Sequence, residues 1–420
     1  MTSEPTPSDI TSQPSGTKSK VRILTILGAG TALSLLGDST LYTVLPDPAN
    51  AAIAGVSLTA VGFILGANRL TRMVTNPLVG SLYDRFPRRS ILLPAMLLGF
   101  LCTLIYAFGS GLPFFLLGRV LWGFAWSGIW IGGNSVILDI TVAGNRGKLS
   151  GLYQTWFFIG VGSSALLAGV FTDVFGFRGG LMLSAALNAA AVLLWFFLLP
   201  ETRSDNALPD PTRAGSDDLD WRTILLASLP TFGMRFVYAG VIASTSILWL
   251  AQLFQTGLPF QNLALPLATI TGIFVALRTV TSMLSGPIAG ELSDRLTQRW
   301  IVIAGLMLLG GSGTWLMGTN VIPLAILGGF IASIPGGGVQ ALIPAFIGDQ
   351  INEEHESRAL GIVYTFGDFG SALGPVAALG LLERLGLNVI YRVCALLLIL
   401  LAILAWIQSR QEATNQHQGN

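Results

Sequence analysis

Apolar positions along this chain fall into runs of membrane length, separated by short polar turns. A helix that crosses a bilayer needs about 20 mostly apolar residues. Twelve such runs can be placed, at roughly 22–46, 58–79, 91–109, 113–138, 150–172, 179–199, 222–253, 264–289, 300–318, 323–347, 358–382 and 388–408. The pattern predicts an all-α membrane protein of twelve transmembrane helices. Runs seven, ten and eleven carry glycine and proline clusters, such as Pro335-Gly336-Gly337-Gly338 and Gly374-Pro375. These clusters predict kinks or local unwinding.

The pattern is written twice. A charged turn running from Gly80 through Asp84, Arg85 and Arg88 to Arg89 closes the second run. A second copy runs from Gly290 through Asp294 and Arg295 to Arg299, an offset of 210 in a chain of 420. Pro77 and Pro287 precede the two copies, and Asp139 and Asp349 repeat at the same offset. Duplicated helical halves with a site between them are typical of secondary transporters. The expected organisation is a tail at 1–20, a first six-helix bundle at 21–199, a linker at 200–221, a second bundle at 222–408 and a tail at 409–420. The two bundles should be pseudo-symmetric. The first 20 residues are rich in Ser, Thr and Pro and read as a disordered cytosolic tail, not a signal peptide.

Composition agrees with this. Hydrophobic residues make up 52% of the chain and charged ones 11%, against about a quarter charged in soluble domains. A net charge of +1 gives no reason to expect nucleic acid as a partner. Cys102 and Cys394 both lie in apolar runs, so no disulfide framework is expected, and no cluster has metal-ligand spacing. No GxxxxGK[ST] phosphate loop is present, which disfavours an ATP-driven pump. No nucleophile–base constellation stands out, so neither enzymatic activity nor a cofactor is expected.

Lys and Arg set the orientation. With the amino terminus inside, fifteen lie on the cytosolic side: Lys18, Lys20, Arg22, Arg85, Arg88, Arg89, Arg146, Lys148, Arg203, Arg213, Arg222, Arg295, Arg299, Arg358 and Arg410. Only Arg178 and Arg384 fall in external loops. Both termini should therefore be cytosolic, in the plasma (inner) membrane, and a monomer is expected.

The residues resemble the major facilitator superfamily. The turn from Gly80 to Arg89 resembles its signature GxLaDrxGrr between spans two and three, with Pro87 where the family has glycine. Arg119-Val-Leu-Trp-Gly123 resembles the RxxxG motif of span four, and Pro200-Glu201-Thr202-Arg203 the signature after span six. The resemblance covers residues 21 to 408 and implies two six-helix bundles that work by alternating access. It also implies a gating latch built from Gly80, Asp84, Arg85, Arg88, Asp139, Gly290, Asp294, Arg295 and Asp349. Physically, Asp84 is expected to accept from free amides at the start of span eleven, near Arg358, where a helix dipole favours an anion. Arg85 and Arg88 are expected to pair with Asp139. The alternative is a plain positive-inside anchor.

Ionisable groups at bilayer depth are costly and usually functional. They are Asp38, Arg69, Arg72, Arg119, Arg235, Arg278 and Asp368, with Arg392 nearer an end. Arginine stays protonated, so any transmembrane proton must ride on Asp38 or Asp368. Asp38 and Arg119 should lie at similar depth and form a candidate coupling pair. The competing reading is a set of static Asp–Arg pairs. Five deep arginines against two aspartates suit an anionic substrate; the alternative for Arg72 and Arg278 is contact with helix-end carbonyls.

In the family, spans one, four, seven and ten line the cavity. That places Asp38, Tyr42, Arg119, Trp126, Trp130, Asn134, Arg235, Tyr238 and Gln340 around a small-molecule substrate, with Arg69, Arg72 and Arg278 as further cavity candidates. Trp122, Trp126 and Trp130 share a helix face by their spacing of four, and packing against lipid is the competing role. Gly160, Gly162 and Gly169 lack the Gly-Pro pair of the antiporter signature and also suit close helix packing. The leading function is a secondary active transporter of a small organic molecule, driven by protons and working as an exporter (antiport). The alternatives are an organic-anion symporter or uniporter and, from another class, a non-transporting receptor or scaffold.

Overall fold

The computed structural model describes residues 14–141, 146–203, 220–255, 265–296, 298–351 and 353–418. Most of the expected amino-terminal tail and linker, including Arg213, lies outside them.

The described residues are almost wholly helical. The first half contains α1 (Pro14–Ser34), α2 (Leu36–Val44), α3 (Pro48–Ala54), α4 (Leu58–Arg85), α5 (Arg88–Phe108), α6 (Leu112–Ile140) and α7 (Arg146–Leu198). The second contains α8 (Trp221–Met234), a π-helical segment (Arg235–Ile242), α9 (Ala243–Gln255), α10 (Leu267–Leu296), α11 (Arg299–Met317), α12 (Ile322–Ile331), α13 (Ile334–Gln350) and α14 (Glu353–Gln418). Side-chain caps fix several starts: Asp47 accepts from Ala49 N at 2.7 Å ahead of α3, Ser57 from Ala60 N at 3.2 Å ahead of α4, and Asp220 from Arg222 N at 3.1 Å ahead of α8.

Among the described residues, nine helices are long and apolar enough to cross a membrane, and the bent pair α3–α4 makes ten. Two of the ten are 51 and 54 residues long, too long for one crossing. They are α7 and α14, turned at Gly176 (φ 73°) and Gly386 (φ 72°). Only glycine takes that conformation without strain, so each folds back as two crossings. This gives the twelve spans: α1–α2 is the first, α8 to α9 the seventh and α12–α13 the tenth.

The helix ends differ from expectation. α1 starts at Pro14, inside the predicted tail, and α14 reaches Gln418, past the predicted end at 408. Once a helix is nucleated, extending it by a few polar residues costs little, because each adds its own internal hydrogen bond. Span seven breaks as the π segment and span ten at Ala332 and Ser333, just before the glycine run. Span eleven stays helical through Gly374-Pro375. Gly374 serves contact instead: a Cβ there would sit 2.5 Å from the Phe236 carbonyl.

Two apolar cores form. One is drawn almost entirely from residues between Leu24 and Leu199, the other from residues between Ile224 and Ala405. The halves meet along two seams. In the first, Gly62 and Gly66 of α4 lie against the carbonyls of Pro375 and Ala372 in α14. In the second, Gly169 and Gly272, of α7 and α10, lie against the carbonyls of Ala268 and Ala165. Asp173 closes the second seam by accepting from Thr269 N at 2.6 Å. Further along the same helices, towards the charged turns, the contacts stop. A Cβ at Gly80, Gly361, Gly151 or Gly290 would meet no atom within 4 Å. The halves therefore diverge, and the cleft between them opens at the end that carries the charged turns.

Candidate functional site

Two groups of ion pairs lie deep between the helices. Asp38 sits in the first turn of α2, next to the interruption at Leu35. It accepts from Nη1 of Arg119, a fully buried residue of α6. Nε and Nη2 of Arg119 donate to the carbonyls of Ile64 at 3.1 Å and Leu65 at 3.2 Å. Those carbonyls are in α4, and a carbonyl can accept twice. Tyr42 donates to Leu65 O at 2.9 Å, and its ring lies 5.4 Å from the guanidinium carbon. Arg119 thus fastens spans one, two and four together.

The second group joins the halves. Asp368 of α14 is 3% exposed. It accepts from Arg72 of α4 at 3.1 Å and from Arg235, the first residue of the π segment, at 3.0 Å. Two guanidinium groups on one carboxylate leave the group a formal charge of +1. Arg69 lies half-buried one turn before Arg72, and its Nε lacks a hydrogen-bond partner. π-helical turns tend to occur at functional sites, and this one begins at the arginine that holds Asp368. The helix-end-carbonyl role expected as an alternative for Arg72 gives way to this ion pair.

Arg278 of α10 stands apart. It is 3% exposed, and its guanidinium lies 4.8 Å from the Tyr238 ring and 6.0 Å from the Phe274 ring. Its Nε and Nη1 have no hydrogen-bond partner, and no described carboxylate pairs with it. Among the described residues, neither of these nitrogens reaches the helix-end carbonyls expected as its alternative partners.

The tryptophan face of α6 turns into the first core, not to lipid. Trp122 and Trp126 are 2% and 6% exposed. Trp126 stacks on Trp130 at 5.7 Å, and Trp130 lies 5.5 Å from Tyr153 and 5.0 Å from Phe157. Asn134 spends its amide on Trp130 O at 2.7 Å. Gln340 is half-buried on α13.

At the charged turns the pairing repeats between halves. Arg88 holds Asp139 through Nε at 2.9 Å and Nη2 at 3.1 Å, and Arg299 holds Asp349. Arg299 also lies 3.5 Å from Asp294, while Arg295 pairs with Glu291 at 2.5 Å on its own helix. The expected Arg85–Asp139 pair does not form. Arg85 ends α4 facing outward, whereas Arg88 opens α5 beside the end of α6. The Asp84 side chain is exposed, and its main-chain oxygen takes Arg203 at 2.6 Å. Among the described residues, the Asp84 carboxylate takes part in none of the ion pairs.

The start of α5, beside the charged turn, does receive an anion. Glu201 accepts from the main-chain N–H groups of Arg88 at 3.0 Å and Arg89 at 2.9 Å. Burial pushes its carboxyl up, but those amides with Arg203 N and Thr202 N outweigh it and hold the carboxyl below its ordinary value. The motif Pro200 to Arg203 was visible in the sequence, but its partners were not. Asp173 was missed altogether, because its partner is a main-chain amide of the other half.

Twelve spans in two halves, a cleft between them, and carboxylate–guanidinium groups at membrane depth define a secondary-transporter architecture. The chain belongs to the major facilitator superfamily: the family model matches residues 27–278 and 267–419. It is similar to the tetracycline resistance protein, class C, of Escherichia coli, 26% identical over 373 residues covering 86% of this chain and 89% of that protein. It is also similar to multidrug resistance protein 2 of Bacillus subtilis (strain 168), 25% identical over 295 residues covering 68% and 71%. Among solved structures, a bacterial homolog of the human lysosomal transporter Spinster, crystallised inward-facing and occupied, superposes with a TM-score of 0.75. That match is 15% identical and covers 95% of this chain and 98% of the other. The protein is a transporter and not an enzyme, and it is an integral multi-pass membrane protein acting on a small molecule. The receptor or scaffold alternative gives way to transport.

Proposed function

We propose that this chain is a proton-coupled exporter of a small organic molecule, working by alternating access in the plasma (inner) membrane with both termini cytosolic. The observation that carries the reading is Asp368, a buried carboxylate shared by Arg72 of one half and Arg235 of the other. Protonating such a group removes the anion that both guanidinium groups face, so protonation state and the relation between the halves become linked. Asp38 on Arg119 is the second candidate carrier. Export is supported by the likeness to proteins named for tetracycline and multidrug resistance. With the charged turns cytosolic, the cleft faces inward, and Gly80, Asp84 and their counterparts Gly290 and Asp294 form the latch that engages when it closes. The two halves are the rocking units.

The deciding experiment is substrate-induced proton flux from purified protein in liposomes, screened over a compound panel. A substrate that moves without any proton movement would leave a facilitator. Sidedness is checked with single cysteines at Ser81, Gln411 and Asn320 in a background lacking Cys102 and Cys394. An impermeant maleimide should label only Asn320 in intact cells; labelling of Ser81 or Gln411 would invert the topology.

A further inference from the structure

An unpaired cation inside a membrane protein is costly, and such groups mark sites where an anion visits. Arg278 is such a group. The ionisable side chains facing it are Tyr238 and Tyr391, not carboxylates. Tyr391 is already engaged with Thr245 at 2.8 Å. One turn along the same face of α10 is Ser282, fully buried, with an Oγ that also has no partner. The glycine run of span ten shapes the wall beyond. A Cβ at Gly336, in the first turn of α13, would sit 2.7 Å from Ser282 Oγ and 2.9 Å from the Tyr238 ring. The dipole of α13 adds its positive end to that side. Beside the cation are rings: Phe274 lies 5.2 Å from Trp249 and 5.6 Å from Phe330. Tyr238 is half-buried and forms the open edge of the group.

We propose that Arg278 and Ser282, with Tyr238 at the entrance, form an anion subsite that takes the carboxylate of an organic substrate with an aromatic or similarly apolar body. The inference rests on the reading of the cleft as a substrate path and adds the substrate's chemical class. The guanidinium N–H groups and the Ser282 hydroxyl donate to the carboxylate oxygens, and the aromatic residues receive the body. Arg72 and Arg235 are committed to Asp368, and Arg119 to Asp38; Arg69 also has an unpartnered Nε, but Arg278 has two unpartnered nitrogens beside the unpartnered Ser282 hydroxyl.

The test is equilibrium binding of radiolabelled 1-naphthoate to the purified full chain, without a proton gradient. Saturable binding is expected, displaced by unlabelled 1-naphthoate and not by neutral 1-naphthamide. Arg278→Gln should weaken it by about tenfold or more, the size of one lost charge-assisted contact, while Arg278→Lys recovers part of the affinity. Absence of saturable binding, equal displacement by the amide, or unchanged affinity in Arg278→Gln each overturns the subsite. If Arg278→Gln does not accumulate folded, the acid–amide comparison on the unaltered protein decides alone. Proton flux failing while naphthoate binding persists would sink the coupling reading and leave this site standing. The reverse pattern would sink this site only.

Discussion

Arg72 donates to Asp368 across the boundary between the two halves at 3.1 Å, and Arg235 holds the other oxygen of the same carboxylate at 3.0 Å. Arg235 and Asp368 belong to one half, so a rocking motion leaves their pair intact. The Arg72 contact is the one that motion can break. Losing the carboxylate charge removes a contact worth about 1.5–3 kcal/mol, enough to shift a two-state population by about tenfold or more. Asp368→Asn should therefore lose transport driven by a pH gradient and populate the charged-turn-open state less. A cysteine at Gly80, where there is open space, should label more slowly in that variant. Unchanged labelling together with unchanged transport would make the bridge static.

Asp173 offers an independent handle on the same equilibrium. Its carboxylate accepts from Thr269 N in the first turn of α10 and fastens the end of the cleft that is shut. Asp173→Ala gives up a charge-assisted hydrogen bond of about 1.5–3 kcal/mol. Labelling at Gly80 should slow here too, while transport driven by a pH gradient stays coupled, since Asp173 is not a proposed proton carrier. Gly80 labelling that ignores the substitution would mean that the seam is held by glycine packing alone.

What the sequence disclosed follows from which partners it can display. Spans, the duplicated turn and the Arg88–Asp139 pair were readable, because each rests on local pattern or on the internal repeat, whereas Arg299 with Asp349 was not, because at the offset of 210 Arg88 falls on Gln298. Asp38 and Arg119 were readable through depth, by counting residues from their helix ends. Arg72 with Asp368 was not, although both residues were singled out, because their meeting depends on how two halves dock. Main-chain partners leave no sequence signal, which hid the roles of Asp173 and Glu201. Gly374-Pro375 misled in the other direction: a pair that usually marks a bend serves close contact with Phe236 and Gly240.

Glu201 predicts a pH response outside the membrane. Its carboxyl is held below its ordinary value by main-chain amides at the start of α5, working against burial. A depressed carboxyl contributes stability that is complete above the unfolded value of about 4.3 and fades as pH falls through the lower folded value. Thermal melts of purified protein should therefore show Glu201 supporting the fold at neutral pH and ceasing to do so in acid. Glu201→Gln should lower the midpoint at pH 7 and converge with the unaltered protein at low pH. Parallel curves across the whole range would refute this linkage.

Asp38 gives the sharpest test of coupling. Arg119 keeps two carbonyl partners, Ile64 and Leu65, and the Tyr42 ring when the carboxylate is gone. Asp38→Asn should therefore fold, reach the membrane and leave the span-two contacts in place. Only the group that can take a proton is lost. If Asp38 carries the proton, taking it up releases one arm of Arg119, and losing it restores the pair, in step with substrate binding. The variant should then fail to move substrate against a gradient, with pH-driven transport falling to background. Binding and downhill exchange should stay within about threefold of normal, because no proton need cross in either. A variant that still moves substrate uphill removes Asp38 as the carrier and leaves Asp368 as the remaining deep carboxylate. If Asp368→Asn is also fully coupled, the protein is a facilitator, and both ion pairs are structural ties.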